Sequence, residues 1–346
     1  MTAMEEIHSA DYQRMMSYSQ GMWISQVVRT VADLSVPEHL REGPRTAGEI
    51  AEAASADPHA VFRLMRACVA LELVSYDAET DRFAATRLLG ALRRSADGTL
   101  ANWARVQAAP GHWQSWGAAT EAVRAGSSRT AEVLGSPLFD YFSGNGAEGA
   151  LFSAAMTDLT AAIGTEAAAV IDTAGVGVAV DVGGANGAFV HELMRRDPGV
   201  AGVVLDLPAT VAGAQEEAER GGLQDRVTVT GGDFFESVPS ADLYLLKFIL
   251  HDWDDESGVR ILRNCRSAMN PGGRICVVEM VVGETGAPGL DAALMDMNML
   301  MVTQGRERDH AEFDTLLERA GLRRVKDTPI PSPTYPYSVI EAVARD

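Results

Sequence analysis

The sequence predicts an α/β protein: a Rossmann-like, mostly parallel sheet in the C-terminal half, preceded by an N-terminal all-helical, winged-helix-like domain. Three observations carry this. First, Val178-Ala179-Val180-Asp181-Val182 is an apolar run that ends in a glycine-rich turn, Gly183-Gly184-Ala185-Asn186-Gly187, and the following residues read as a helix that stops near Asp197-Pro198-Gly199. Second, strand-like runs at 178–182, 202–206, 227–230, 242–247 and 274–282 alternate with helical segments near 187–196, 209–220, 256–269 and 308–320, the pattern of a parallel sheet with crossover helices. Third, the residues before 177 follow a mainly helical period.

Length and composition narrow the classes of function. A chain of 346 residues has room for two domains. No run of about eighteen apolar residues is present to span a bilayer, and the polar start lacks a secretory pattern, so the protein is expected in the cytoplasm. Cys68, Cys265 and Cys276 sit in apolar segments without metal-like spacing, which predicts core thiols and no metal site. A formal charge of −19 repels phosphate backbones and argues against nucleic acid as a partner. A neutral or aromatic small molecule fits better.

The expected domains are 1–100, helical and winged-helix-like; 101–165, a helical linker; and 166–346, the sheet domain. Between Tyr12 and Leu40 the residues Met15, Met16, Met22, Ile24, Val27, Val28, Val31 and Leu34 recur at broadly helical spacing. They suit either core helices or helices that pack on a second subunit. Thr46 followed by Glu49 marks a capping box, and Asp57-Pro58 opens a helix with Val61, Leu64, Met65, Cys68, Val69 and Leu71 on one stripe. Leu73-Val74-Ser75-Tyr76 and Arg82-Phe83-Ala84 then suggest a hairpin. The second helix offers only Arg63 and Arg66 as basic residues, a poor footprint for DNA, so a structural or dimerising role is expected. In the linker, Trp103, His112, Trp113, Trp116, Phe139, Tyr141, Phe142, Phe152 and Met156 supply large side chains for a core or for a substrate cleft, and residues 144–149 read as a mobile loop. At the C-terminus, Leu322-Arg323-Arg324-Val325 and the run 337–343 suggest a closing antiparallel pair.

Ligands of open α/β sheets gather at the carboxyl ends of the strands. Those ends carry Asp181, Asp206, Asp233-Phe234 and Lys247 to Trp253. Asp206 lies near the offset at which a carboxylate accepts ribose hydroxyls. The dinucleotide pattern G-x-G-x-x-G is broken by Ala185 and Ala188, and Asp181 would repel a phosphate but could hold an ammonium group. A ligand with a ribose, an adenine and a cationic amino-acid tail satisfies this set, which points to S-adenosyl-L-methionine. The alternative is that Asp181 and Asp206 merely cap turns.

Asp181 to Gly187, Leu205-Asp206-Leu207-Pro208, Gly232-Asp233-Phe234-Phe235, Leu250-His251-Asp252-Trp253 and Gly305-Arg306-Glu307-Arg308 resemble, in order, the motifs of the small-molecule O-methyltransferases typified by caffeate, hydroxyindole and bacterial polyketide-tailoring enzymes. The likeness runs over nearly the whole chain. It implies a methyltransferase sheet domain behind a dimerisation domain, a homodimer, and an aromatic secondary metabolite as methyl acceptor. It implies that Gly183 lies under the cofactor, that Asp206, with Leu207 beside it, binds the ribose, that Asp233 and Phe234 bind the adenine, that Lys247 contacts the cofactor from the fourth strand, and that Trp253 packs against the adenine. Ala185 departs from the glycine common in the family.

A phenol with pKa about 10 needs a base to become a nucleophile near neutral pH, and imidazole suits that task. The resemblance assigns the base to His251 and its flanking acids to Glu307 and Asp296. Glu307 could instead form a surface ion pair with Arg306 or Arg308. Asp252, Met295, Asn298 and Met299, with Phe142, Phe152 and Met156, are the expected acceptor side. Two other readings stand beside methyl transfer: a related enzyme that keeps the cofactor but decarboxylates or hydroxylates a polyketide, and a DNA-binding regulator, against which the charge counts.

Overall fold

The computed structural model describes residues 9–94, 99–283, 289–332 and 335–345, and the chain divides between Ala109 and Pro110 into two compact units. In the first unit the helices Ser9–Ser19, Gly21–Asp33 and Val36–His39 precede Ala47–Ala54 and Pro58–Ala70. The capping box forms as expected, with Glu49 N–H on Thr46 Oγ1 at 3.2 Å and Thr46 N–H on Glu49 Oε2 at 2.7 Å. Asp57 caps the next helix by accepting from Ala60 N–H. The hairpin pairs β1 (Val74–Asp77) with β2 (Arg82–Ala85). Val61, Met65, Cys68, Ile50, Phe83 and Leu89 close this core. Tyr12, Met15, Tyr18, Met22 and Trp23 are each more than half exposed. Of the two readings of these helices, the one with a partner-facing apolar surface therefore gains.

The second unit holds a seven-stranded sheet: β3 (Val178–Val182), β4 (Ala201–Asp206), β5 (Val227–Gly231), β6 (Ala241–Lys247), β7 (Met269–Met280), β8 (Leu322–Pro329) and β9 (Tyr337–Ala344), in the spatial order β5-β4-β3-β6-β7-β9-β8. β3 to β7 run parallel to one another, and β9 inserts antiparallel between β7 and β8. β7 starts earlier than its apolar run suggests. A register shift between Ala241 and Leu243 lets the Pro271-Gly272-Gly273 stretch join the strand before regular pairing begins at Arg274.

Period two divides the strand side chains between two cores. On one face Ala179, Val204, Leu243, Leu245, Cys276 and Val278 meet Phe189, Leu193 and Met194; on the other Val180, Val182, Leu205, Tyr244, Leu246 and Val277 meet Val259, Ile261, Leu262, Phe313 and Leu316. Both faces are covered, as a parallel sheet requires. All three cysteines are buried and free. Among the described residues no helix is long and apolar enough to cross a membrane.

Residues 144–149 differ from the expected mobile loop. The helix Leu138–Gly144 is separated from the helix Gly146–Val170 by Asn145 alone. Glu148 holds this joint: its Oε1 accepts the Gly111 N–H at 2.7 Å and its Oε2 accepts the Tyr141 hydroxyl at 3.0 Å. The glycine-rich composition suggested flexibility, but a buried carboxylate with two donors outweighs it.

Leu262 is fully buried between the sheet and its helices. Leu262→Ala is expected to lower unfolding free energy by about 2–5 kcal/mol, read by urea denaturation; a loss well under about 1 kcal/mol would show that this face is loosely packed.

Candidate active site

Strand order reverses at β3, which has β4 on one side and β6 on the other. Ligands bind at such a switch point, beyond the carboxyl ends of the strands. The glycine-rich turn leaves β3 there, and the run 247–253 leaves β6. Gly183 has φ +71, a left-handed backbone that favours glycine, and a Cβ on it would stand 2.5 Å from Ile249 Cδ1, so that side chain would have to move. Ala185 also adopts a left-handed backbone, φ +48. Such strain costs on the order of 1–3 kcal/mol, and Asp206 offsets it: its Oδ2 accepts the Ala185 N–H at 2.9 Å while Oδ1 accepts that of Leu207 at 2.7 Å. Burial raises the Asp206 pKa.

Asp181 differs from the free carboxylate that the sequence suggested. It is buried beneath the turn, and its Oδ2 accepts the Val190 N–H at the start of the helix Ala188–Arg196. Burial pushes its pKa up to about 6, against the attraction of Lys247, and burial pulls Lys247 down to about 8. Asp181 braces the turn from within. Lys247 Nζ lies 4.1 Å from the centre of the Phe248 ring, and Phe248 itself carries φ +57. Beyond β5, Asp233 Oδ1 accepts the Phe235 N–H. Trp253 stands edge-on to Phe234 and Phe235, with centroids at 6.2 and 4.7 Å. An aromatic corner therefore forms beside the ends of β5 and β6.

His251 lies on a short helical turn, Leu250–Asp252, whose backbone is clamped from three sides. Glu279 on β7 is 1% exposed, and its Oε1 accepts the N–H groups of Ile249, Leu250 and His251 at 3.1, 2.6 and 3.2 Å. Arg308, equally buried, donates to the carbonyls of Leu250 and Trp253 and to Asp255. Gly305 touches the turn from the third side: a Cβ there would fall 1.8 Å from the His251 carbonyl oxygen.

The ring is held as firmly as the backbone. Nδ1 meets Glu307 Oε1 at 2.8 Å, and Nε2 lies 3.8 Å from Asp252 Oδ1. An ionised carboxylate only accepts, so Nδ1 is the donor and Nε2 is the nitrogen left for chemistry. Burial alone would lower the ring pKa, but the carboxylates of Glu307, Asp252 and Glu279 outweigh it and raise it to about 10. Burial in turn pushes Asp252 up to about 6 and Glu279 up to about 7.

Asp296 does not meet the ring as the sequence reading supposed. Its Oδ1 accepts the Glu307 N–H at 3.0 Å, so it touches the main chain of the acid that touches His251. The carboxylates acting on the ring are Glu307, Asp252 and Glu279. Nor does Glu307 pair with its neighbours, because Arg306 and Arg308 both bind Asp255.

Phe142, Phe152, Met295 and Met299 gather into one apolar cluster, with Phe142 and Phe152 stacked at 4.7 Å. Met156 follows Phe152 by one turn of the same helix. Asn298 is oriented by Trp116, whose indole N–H donates to its Oδ1 at 2.8 Å. Phe139 lies 6.3 Å from both Phe152 and Trp253, which joins this cluster to the end of the His251 turn. Sequence reasoning missed Glu279 and the clamping role of Arg308. An acid inside the apolar run 275–280 was the available signal for the first.

The ring pKa also makes stability depend on pH. His251 is raised from the ordinary 6.5 to about 10, so the stability it contributes is fully present below about 6.5 and is lost as pH rises through about 10. Glu307→Gln removes the main opposing carboxylate. The Tm difference between wild type and this variant is expected to shift steadily against wild type from pH 6.5 to 10; a difference independent of pH would contradict the pairing.

Comparison with known proteins accords with this geometry. Residues 116–323 match the O-methyltransferase domain and residues 16–91 the O-methyltransferase dimerisation domain. The mitomycin biosynthesis 6-O-methyltransferase of Streptomyces lavendulae is 35% identical over 311 residues, 90% of this chain and 88% of that protein. The 3-amino-4-hydroxybenzoate 4-O-methyltransferase of Streptomyces cremeus is 34% identical over 325 residues, 93% of this chain and 88% of that one. The crystal structure of human N-acetylserotonin methyltransferase in complex with S-adenosylmethionine superposes with a TM-score of 0.89 at 27% identity, covering 100% of both chains. The protein belongs to the S-adenosylmethionine-dependent small-molecule O-methyltransferase family.

Proposed function

We propose that the protein methylates a phenolic or enolic hydroxyl of an aromatic secondary metabolite, with His251 as the base. The observation that carries this reading is the His251–Glu307 pair at 2.8 Å on a turn clamped by Glu279 and Arg308. S-adenosylmethionine supplies an electrophilic methyl group on a cationic sulfur. The residues present suit it: a glycine turn with a left-handed backbone at Gly183, a carboxylate at the end of β4, and an aromatic corner for an adenine. Gly183, Asp206, Leu207, Asp233, Phe234, Lys247 and Trp253 are assigned to hold the cofactor. Phe142, Phe152, Met156, Met295, Asn298 and Met299 are assigned to the acceptor, and Asp252 to its hydroxyl side. Two of the curated relatives are named for methylation in mitomycin biosynthesis and of a hydroxybenzoate, which supports an aromatic acceptor here. The dimerisation-domain match and the exposed apolar face at residues 12–23 support a homodimer.

Energetics explains why the acids surround the base. Moving a proton from a phenol of pKa about 10 to an ordinary imidazole at about 6.5 costs about 5 kcal/mol. A ring raised to about 10 accepts it at little cost. The same carboxylates keep the ring protonated at neutral pH, so one proton must leave as the phenol binds and forms a phenolate–imidazolium pair. Nε2 holds the acceptor's proton, Glu307 holds the opposite N–H, and Asp296 fixes the Glu307 backbone.

Three measurements check this. His251→Ala is expected to cut turnover by roughly 10²–10⁴-fold while the demethylated cofactor still raises Tm; unchanged turnover would remove the base assignment. For a phenol of pKa about 10, kcat/KM of the wild type is expected to climb between pH 7 and 9, and a plateau already reached at pH 7 would contradict the raised ring pKa. Mass analysis showing a gain of one methyl separates this reading from decarboxylation or hydroxylation.

A further inference from the structure

His112 is a buried imidazole that the proposed chemistry does not use. It lies in the helix Pro110–Gly117, is 2% exposed, and its Nδ1 has no hydrogen-bond partner among the described residues. A buried polar atom without a partner is costly. The other such histidine, His191, packs behind the glycine turn against Gly187. His112 instead sits with the acceptor-side aromatics, its ring 6.2 Å from that of Phe142 and stacked 6.3 Å from that of Phe152.

Its position is built rather than incidental. The preceding residue is anchored by the Gly111 N–H on Glu148 Oε1, and Glu148 also takes the Tyr141 hydroxyl. On the other side Ser115 Oγ donates to the Gly111 carbonyl at 2.7 Å. Burial pulls the ring pKa down to about 4, so at neutral pH it carries one N–H and one lone pair and no charge.

We propose that His112 determines acceptor specificity by hydrogen bonding a second, neutral oxygen substituent of the aromatic acceptor, a ring carbonyl or hydroxyl other than the one methylated. This rests on the reading of Phe142, Phe152 and Met299 as the acceptor side. A carboxylate substituent does not suit the position, because its best partner is an imidazolium and burial disfavours that form. Apolar walls tolerate many flat rings, whereas a buried group left unpaired by the wrong ring discriminates strongly.

The test compares naphthols with the hydroxytetralones, which add one ring carbonyl to a similar frame. Wild type is expected to show a kcat/KM for its best hydroxytetralone at least about tenfold above that for its best naphthol. In His112→Leu that ratio is expected to fall to near one, while Tm does not drop, since an unpaired polar group has been removed. His112→Asn, which keeps a polar atom near the Nδ1 position, is expected to retain more of the preference than the leucine variant. Methylation without preference in wild type, or a preference undiminished in His112→Leu, would overturn the role of His112 and leave the O-methylation reading standing. Binding of the demethylated cofactor with no methylation of any phenol would overturn that reading, and the role of His112 with it.

Discussion

Two carboxylates and one arginine converge on the turn at 249–252, and the site depends on their arrangement. Glu279 gathers three consecutive N–H groups on one oxygen, Arg308 takes the carbonyls of Leu250 and Trp253, and Glu307 takes the ring of His251. Each of these side chains is almost wholly buried, where hydrogen bonds to charged groups are strong and an unpaired charge is expensive. The result is a ring with one nitrogen fixed and the other free to act. Gly305 permits the arrangement, since any side chain there would collide with the His251 backbone.

The scaffold delivers these groups from separate parts of the chain. β6 ends at Lys247, β7 carries Glu279, and the segment after the helix Leu290–Val302 carries Gly305, Glu307 and Arg308. Two residues other than glycine, Ala185 and Phe248, take left-handed backbone conformations at the ends of β3 and β6. Strained backbone at the switch point of a parallel sheet is where a binding function is expected. The surrounding two-faced core holds that strain in place.

Much of this was legible in the sequence. Period and punctuation gave the sheet, the hairpin, the capping box and the closing antiparallel pair, because those depend on local pattern. The acids at strand ends, read in order, pointed to the cofactor. Properties that arise only when distant segments meet were less accessible. Asp296 has the right residue type and neighbourhood, yet its carboxylate reaches the Glu307 main chain instead of the ring. Asp181 looked available and is turned inward on Val190. The 144–149 stretch looked mobile from its glycines and is ordered by Glu148, whose partner Gly111 lies 37 residues away. Glu279 was hidden within a strand, where one acid among apolar residues gives a faint signal until the partner turn is known.

The claim at the centre of this account is that buried carboxylates prepare His251 to hold a phenol's proton. An NMR titration of the His251 ring in the protein without its acceptor, assigned by its loss in His251→Ala, tests it most directly. The expected result is a pKa well above the ordinary 6.5, toward about 10, that falls in Glu307→Gln as burial takes over. A ring that titrates at or below 6.5 in the wild type would contradict it.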